Sequence, residues 1–185
     1  MPTQIAQALI FVLKTISNLI LFVFILRLLL QWVRMDFYNP VSQFVFRVTN
    51  PLVAPLQRIV PRSRWLDLPG AIVLAVVTAA ANWMLLSLYG VSTTPLEFLY
   101  YVFARVIHLG VLIYVISIII VAVLSWFGQP AYHPIARALG ELVGPLLARF
   151  RRFLPPFEGI DFSPLVAIMS LIVIRILVPL HPVLQ

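Results

Sequence analysis

Four long runs of apolar residues alternate with segments that are rich in proline and arginine. The runs cover about residues 5–33, 69–89, 98–127 and 164–180. A bilayer core of about 30 Å needs roughly 20 helical residues, so the second run fits an upright span and the fourth is near the minimum. The first and third runs are longer, and their helices must tilt or project into the membrane interface. The pattern predicts an all-α integral membrane protein with four transmembrane helices.

The two halves of the chain repeat each other at a constant offset of 94 residues. Three of the ten identical positions are prolines, whose fixed φ constrains the backbone. We predict two copies of one unit, residues 1–93 and 94–185, each a long helix, a linker and a shorter helix. Because each copy would cross the membrane twice, the two repeats are parallel rather than inverted. The identical pairs are Leu30/Leu124, Trp32/Trp126, Tyr38/Tyr132, Pro40/Pro134, Pro51/Pro145, Leu52/Leu146, Ala54/Ala148, Arg58/Arg152, Pro61/Pro155 and Asp67/Asp161.

Each linker combines apolar residues at three- and four-residue steps with arginines on another face. The apolar positions run from Val41 to Ile59 in the first linker and from Ile135 to Phe153 in the second. This pattern is typical of an amphipathic helix that lies in the membrane interface. We expect each linker to form such a helix, broken along its length.

Several helix starts are marked by local sequence. Thr94-Pro95-Leu96-Glu97 combines an N-cap threonine, a proline at the first helical position and a glutamate at the third, which makes a capping box. A polar residue followed by proline marks four further expected starts. These are Asn39-Pro40, Asn50-Pro51, His133-Pro134 and Ser163-Pro164.

Charge is scarce in this chain and unevenly distributed. The sequence is 62% apolar and 10% charged, with no cysteine, which excludes an ordinary soluble surface, a disulfide framework and thiolate chemistry. The two linkers carry nine arginines, whereas residues 90–101 carry no lysine or arginine. The positive-inside rule therefore places both linkers in the cytoplasm and both termini outside. The linker arginines are Arg34, Arg47, Arg58, Arg62, Arg64, Arg137, Arg149, Arg151 and Arg152.

The net charge of +7 is explained by this topology and by attraction to anionic lipid headgroups. No zinc finger, RNP sequence or helix-turn-helix pattern is present, so no nucleic-acid partner is expected. The expected partner is a bilayer with anionic headgroups, and a second copy or another membrane protein is the further candidate. The candidate lipid- or partner-binding side chains are Arg47, Arg58, Arg62, Arg64, Arg149, Arg151 and Arg152.

Motifs for catalysis and cofactor binding are missing from the sequence. The histidines His108, His133 and His181 are scattered without ligand spacing, so no metal site is expected. No glycine-rich phosphate loop, G-x-S-x-G or H-E-x-x-H motif occurs. Haem binding would need His108 or His133 as an axial ligand. We expect neither an enzyme nor a bound cofactor.

Asp67 and Asp161 are equivalent in the repeat, and each lies just before a predicted transmembrane helix. One interpretation is an N-cap, in which the carboxylate accepts hydrogen bonds from backbone N–H groups. The other interpretation pairs the two carboxylates across the pseudo-twofold axis with linker arginines or with a cation. The residues to which the repeat motif assigns a structural role, including two interfacial tryptophans, are Trp32, Asn39, Pro40, Pro51, Pro61, Asp67, Trp126, Pro134, Pro145, Pro155 and Asp161.

Five basic side chains lie inside the predicted spans, where ionisable groups are costly and often functional. One interpretation is snorkelling, in which the charged end reaches a headgroup region. The other is a role in an ion pathway or a subunit contact. The spans contain no aspartate or glutamate that could pair with these residues, which argues against a proton relay built from carboxylates. The residues are Lys14, Arg27, Arg105, His108 and Arg175.

The spaced motifs of both copies resemble those of the YggT (YlmG) family of small bacterial and plastid membrane proteins. The first copy has Arg27-x4-Trp32, Asn39-Pro40, Thr49-Asn50-Pro51-Leu52 and Arg58-x2-Pro61. The second copy has Leu124-Ser125-Trp126, His133-Pro134, Pro145-Leu146, Arg152-x2-Pro155 and Asp161-Phe162-Ser163-Pro164. In the second copy His133 replaces Asn39, Arg149 replaces Pro55 and Glu141 replaces Arg47.

The resemblance implies a protein of the bacterial inner membrane with no known enzymatic activity. It also implies a link to osmotic stress, ion uptake, division or the assembly of membrane complexes. Our first hypothesis is a membrane-organising or interaction protein whose linkers bind anionic lipid or a cytoplasmic partner. The alternative is a subunit of an oligomeric ion channel or transporter, with Lys14, His108 or Arg175 near the pathway.

Overall fold

The structure is a computed structural model that describes residues 4–36, 38–60, 67–126, 134–154 and 161–185. Six α-helices follow one another in this part of the chain, and a 3-10 turn, Pro182–Leu184, comes after the last one. The helices are α1 (Gln4–Trp32), α2 (Pro40–Gln57), α3 (Leu68–Leu88), α4 (Pro95–Trp126), α5 (Pro134–Phe153) and α6 (Ser163–Leu177).

Three of these helices, α1, α3 and α4, are long and apolar enough to cross a membrane. The helix predicted over 164–180 is shorter than expected. It is α6, which ends at Leu177 and has 15 residues. At 1.5 Å per residue α6 is about 22 Å long, less than a bilayer core of about 30 Å. Of the four predicted transmembrane helices, three have spanning length, and the fourth is an apolar helix too short to confirm the prediction.

Most of the predicted helix starts are observed. Glu97 Oε2 accepts hydrogen bonds from the backbone N and Oγ1 of Thr94, at 2.8 and 3.0 Å, which confirms the capping box of α4. Asn39 Oδ1 accepts from the backbone N of Val41 at 2.9 Å and caps α2. Pro134 begins α5, while His133 lies outside the described residues. Ser163 begins α6, with Phe162 at the N-cap position.

The first linker corrects two expectations. Asn50-Pro51 does not start a helix, and α2 is continuous rather than broken, with Pro51 and Pro55 inside it. Proline removes one hydrogen-bond donor from a helix, but both prolines lie on the exposed side of α2, where polar surroundings can reach the carbonyl groups left unpaired. The helix therefore survives both prolines. In the second linker, Pro145 likewise lies inside α5.

The long helices α1 and α4 pack against each other at the centre of the bundle. Around them, α3 packs against α1, α2 and α4, while α6 packs against α4 and α5. The linker helices α2 and α5 also contact each other, and Asn39 Nδ2 donates to the carbonyl oxygen of Pro134 at 3.2 Å. Both linkers therefore lie side by side at one end of the bundle. At the opposite end, the hydroxyl of Tyr100 donates to the carbonyl oxygen of Pro179 at 2.9 Å.

Apolar clusters fill the spaces between these helices. One lies between α4, α5 and α6 and contains Ile118, Val143, Leu147 and Ala167. A second, at the end opposite the linkers, joins Ile10 of α1 to the residues after α6. The central cluster draws on five helices, so the linker helices are part of the core and not appendages to it. Its buried members are Leu21, Phe24, Ile25, Val53, Leu74, Ile113 and Leu142.

Candidate functional site

Arg27 is fully buried where α1, α2 and α3 meet, with an exposed fraction of 0%. Its Nε donates to Asp67 Oδ2 at 2.6 Å, across 40 residues of sequence. Its Nη1 donates to Thr49 Oγ1 at 2.7 Å and to Asn50 Oδ1 at 2.9 Å, both on α2. The guanidinium carbon also lies 4.5 Å from the centre of the Phe46 ring. One charged side chain therefore ties the first linker helix to the long helix before it and to the helix after it.

Asp67 has two roles in this cluster. One carboxylate oxygen accepts from Arg27, and the other accepts from the backbone N of Gly70 at 3.1 Å, which caps α3. Gly70 leaves the room for this arrangement, since a Cβ at that position would lie 2.6 Å from Asp67 Oδ2. The N-cap interpretation of Asp67 is thus confirmed. Its basic partner is a helix arginine of the same repeat, and not a linker arginine across the pseudo-twofold axis.

Arg105 forms a second buried cluster, between α1, α3 and α4, and is 1% exposed. Its Nη1 donates to Asn82 Oδ1 at 2.7 Å. Its Nη2 donates to Ser17 Oγ at 3.0 Å and to Asn18 Oδ1 at 2.8 Å. All of these acceptors are neutral, and the described part of the chain supplies no carboxylate to Arg105 within ion-pair distance. Lys14 is half-buried on the same helix as Ser17.

The snorkelling interpretation does not describe Arg27 and Arg105, because both side chains are buried among protein groups and not extended towards an interface. The spans contain no aspartate or glutamate, as expected, but a carboxylate from outside them pairs with Arg27. Asp67 lies just outside α3, and the packing of α1 against that end of α3 brings the two side chains together. Sequence reasoning singled out both residues but had no signal for their pairing.

His108 and Arg175 form a pair between α4 and α6. The Nε of Arg175 donates to His108 Nδ1 at 3.4 Å, and His108 Nε2 lies 2.6 Å from the carbonyl oxygen of Val178. The pair lines a cavity of about 450 Å³ that also includes Gln185. In the residues the structure describes, no three His, Asp or Glu side chains come together as a metal site would require.

The linker helices present the predicted basic surface. The side chains of Arg47 and Arg58 on the first linker are exposed, as are those of Arg149, Arg151 and Arg152 on the second. Arg62 and Arg64 lie outside the described residues. We call the five exposed arginines, together with the exposed apolar residues of α2 described below, the linker surface.

The apolar stripe predicted for α2 divides between two faces. Val45 and Val53 are buried against the bundle together with the polar residues Ser42 and Thr49. The larger members of the stripe, including Phe44, Val48, Leu52 and Ile59, are exposed. Thr49 faces inwards, where its hydroxyl accepts from Arg27, and the large apolar residues face away from the protein. The linker surface therefore carries both arginines and large apolar side chains.

Asp161, the counterpart of Asp67, pairs with the linker. Arg151 Nε donates to Asp161 Oδ2 at 2.8 Å, and the backbone N of Ser163 donates to Asp161 Oδ1 at 2.9 Å. Partial burial raises the pKa of Asp161, but the hydrogen bonds from Ser163 and the charge of Arg151 outweigh it and hold that pKa below its ordinary value. Asp161 therefore pairs with a linker arginine, but with one of its own repeat and not across the pseudo-twofold axis. The N-cap interpretation is wrong for Asp161, because Phe162 holds the N-cap position of α6.

The remaining motif residues lie at helix ends and within the linkers. Trp32 ends α1 with an exposed fraction of 61%, and Trp126 ends α4. Pro40 and Pro134 occupy the first positions of α2 and α5. Pro61 and Pro155 lie outside the described residues, as does the side chain of Trp126.

These features define a class of protein: a small all-helical protein with three helices of membrane-spanning length, buried arginines between them and a basic linker surface at one end. The family model of CCB3/YggT matches two segments of the chain, residues 6–89 and 100–181. The chain belongs to the CCB3/YggT family, which confirms the resemblance seen in the motifs.

Proteins of similar length match over most of the chain. A Pseudomonas aeruginosa protein, PA0392, is 37% identical over 174 residues, which are 92% of this chain and 88% of the relative. The YggT protein of Escherichia coli K12 is 34% identical over 165 residues, 89% of this chain and 86% of the relative. A Vibrio alginolyticus protein named for the proC 3′ region is 35% identical over 166 residues, 87% of this chain and 88% of the relative. No solved structure matches this chain.

Proposed function

We propose that this protein is a non-enzymatic membrane-organising protein of the bacterial inner membrane, whose linker surface binds anionic lipid headgroups in the cytoplasmic leaflet. The observation that carries this proposal is the contact between α2 and α5, which gathers exposed arginines of both repeats at one end of the bundle. The surplus of arginine in the linkers supports a cytoplasmic location for this end, and both termini would then be periplasmic.

Electrostatic attraction is the main contribution expected from this surface. A basic residue close to an anionic leaflet contributes about 1 kcal/mol, so several arginines held on adjacent helices favour anionic over zwitterionic lipid. The exposed apolar side chains Phe44, Val48 and Leu52 would enter the boundary between headgroups and acyl chains. The surface combines the two features that hold an amphipathic helix in an interface.

The Arg27 cluster supports this role by holding the first linker in place. Thr49 and Asn50 of α2 are bonded to Arg27, which is itself paired with Asp67 at the start of α3. The helix that carries Arg47, and is followed by Arg58, is therefore attached to the spanning helices by buried polar contacts. A rigid attachment of this kind fits an organising surface better than an ion pathway, since Arg27 has no free approach from outside the protein.

The test replaces four exposed arginines that form none of the described ion pairs: Arg47→Gln, Arg58→Gln, Arg149→Gln and Arg152→Gln. Wild type and variant are reconstituted in mixed bilayers, and electron spin resonance measures how strongly spin-labelled phosphatidylglycerol is enriched at the protein over phosphatidylcholine. We expect the enrichment to fall severalfold in the glutamine variant, because the charge is lost.

The matched control carries lysine at the same four positions and should keep most of the enrichment, because it keeps the charge. Equal enrichment in the wild type and the glutamine variant would contradict the proposal. A cytoplasmic protein partner would then be sought on the same surface.

A subunit of an oligomeric ion channel or transporter is the second candidate function. The observation that favours it is the cavity beside His108 and Arg175, which places two basic side chains at one opening. The test measures ion flux in sealed liposomes under an osmotic step, with empty liposomes as the control. An ion flux that falls when Lys14, His108 and Arg175 are neutralised would favour a channel or transporter. A flux equal to that of empty liposomes would favour the membrane-organising function instead.

A further inference from the structure

We propose that the cavity between α4 and α6, at the end opposite the linker surface, binds the phosphate group of an anionic phospholipid through Arg175. The cavity has a volume of about 450 Å³. His108, Arg175 and Gln185 supply its polar lining, and Ile172, Ile176 and Leu180 are among its apolar lining residues. A cationic group flanked by apolar side chains matches a phospholipid, which has a charged headgroup joined to acyl chains.

His108 positions the guanidinium of Arg175. Its Nε2 lies 2.6 Å from the carbonyl oxygen of Val178, so Nε2 carries the proton and donates there. Its Nδ1 then accepts from the Nε of Arg175 at 3.4 Å. This contact uses one of the five N–H groups of Arg175 and leaves both terminal nitrogens for another acceptor. Within the described residues no carboxylate pairs with Arg175.

The length of α6 explains why a headgroup would reach this site. With 15 residues, α6 is about 22 Å long, whereas a bilayer core is about 30 Å thick. Arg175 lies two residues before the end of α6, beside the exposed side chains of Ile176 and Leu177. A short apolar segment thins the bilayer around it, and a guanidinium at that depth is costly without an anion.

Phosphate fits the donor set of this site. The two terminal nitrogens of an arginine form parallel, charge-assisted hydrogen bonds to phosphate oxygens. The first repeat has no equivalent site, since Lys14 and Ala81 stand at the positions of His108 and Arg175, and α3 has 21 residues. The site therefore belongs to the second repeat, and it is separate from the linker surface at the other end of the bundle.

The experiment titrates the purified full chain in detergent with phosphatidylglycerol and measures the dissociation constant of each bound lipid by native mass spectrometry. Each variant is made in the wild-type chain and in the chain that carries Arg47→Gln, Arg58→Gln, Arg149→Gln and Arg152→Gln, which we call the linker variant. Lipid bound at the linker surface can then be distinguished from lipid bound in the cavity. Diacylglycerol with the same acyl chains, which lacks the phosphate group, is the lipid control, and inorganic phosphate is added as a competitor.

We expect Arg175→Gln to weaken one bound phosphatidylglycerol by about tenfold, the effect of losing a charge-assisted contact. Arg175→Lys should lose less, because it keeps the charge but not the paired geometry. The linker variant should still bind that one lipid. This result would show that the cavity binds lipid independently of the linker surface, on which the proposed function depends. If inorganic phosphate displaces the bound lipid at concentrations similar to those at which the lipid binds, the site binds free phosphate rather than a lipid headgroup.

Two results would overturn the proposal. One is equal phosphatidylglycerol binding by the wild type and Arg175→Gln, together with no effect of inorganic phosphate. The other is equal affinity of the linker variant for diacylglycerol and phosphatidylglycerol. The second comparison needs no substitution at Arg175, so it tests the proposal even if Arg175→Gln does not fold.

Discussion

Asp67 and Asp161 occupy equivalent positions in the two repeats but lie in opposite surroundings. The side chain of Asp67 is 3% exposed and pairs with Arg27 of a spanning helix. The side chain of Asp161 is 30% exposed and pairs with Arg151 of a linker, itself 51% exposed. Both carboxylates accept a hydrogen bond from a backbone N–H at the start of the following helix. A backbone hydrogen bond is shared between the repeats, but only Asp67 holds the N-cap position, and the burial and the cationic partner differ as well.

The surroundings differ because Arg27 and its acceptors on α2 have no counterparts in the second repeat. At the offset of 94, Arg27, Thr49 and Asn50 correspond to Val121, Val143 and Gly144. Val143 belongs to the apolar cluster between α4, α5 and α6. The first repeat attaches its linker helix through hydrogen bonds to Arg27, which is paired with Asp67, and the second attaches α5 through apolar packing. Replacing buried ion pairs by apolar residues is often neutral for stability, so the two solutions are interchangeable in principle.

The largest effect that tests this comparison is expected from Asp67→Ala. Removing the carboxylate leaves Arg27 charged and buried without its ionic partner, which costs about 3–5 kcal/mol. The free energy of unfolding, measured by denaturant titration in mixed micelles, should fall by that amount. Asp161→Ala is the matched control and should cost less than about 1 kcal/mol, since its ion pair is largely exposed. Similar losses in the two variants would mean that burial does not distinguish the repeats.

A smaller loss is expected from Gly70→Ala. The added Cβ would lie 2.6 Å from Asp67 Oδ2 and 3.4 Å from Arg27 Nε, so the ion pair must shift. Overpacking of this kind costs about 1–3 kcal/mol, which thermal unfolding in detergent would detect. The control is Gly140→Ala in α5, where no atom lies within 4 Å of the added Cβ and alanine favours the helix. A Gly70→Ala protein as stable as the wild type would show that the Arg27 cluster tolerates movement.

The smallest effect concerns the pH dependence contributed by Asp161. Because its pKa is below the ordinary value, the carboxylate stabilises the folded state above the ordinary pKa of about 3.9, and this contribution is lost as the pH falls through the lowered pKa. Asp161→Asn removes the titration. Thermal unfolding of both proteins between about pH 6 and pH 3 should show a difference of less than about 1 kcal/mol that shrinks in acid. A difference that grows in acid would contradict the assigned direction.

Features that depend on neighbouring residues were predictable from the sequence. The capping box at Thr94 and the cap at Asn39 follow from local patterns and are present in the structure. The Asn50-Pro51 prediction failed for a tertiary reason, since Thr49 and Asn50 are held against Arg27 and keep α2 continuous through the proline. Local sequence marked a helix start there, and a contact with a distant residue prevented it.

The sequence alone determined the helical membrane class, the family, the linker arginines and the positions of most helix ends, because composition, periodicity and capping act over a few residues. The tertiary structure decided which charges are buried and with what partners. Arg27 and Asp67 are 40 residues apart, and His108 and Arg175 are 67 apart. Which side chains meet over such distances depends on how the helices pack, and equivalent residues in the two repeats therefore meet different partners.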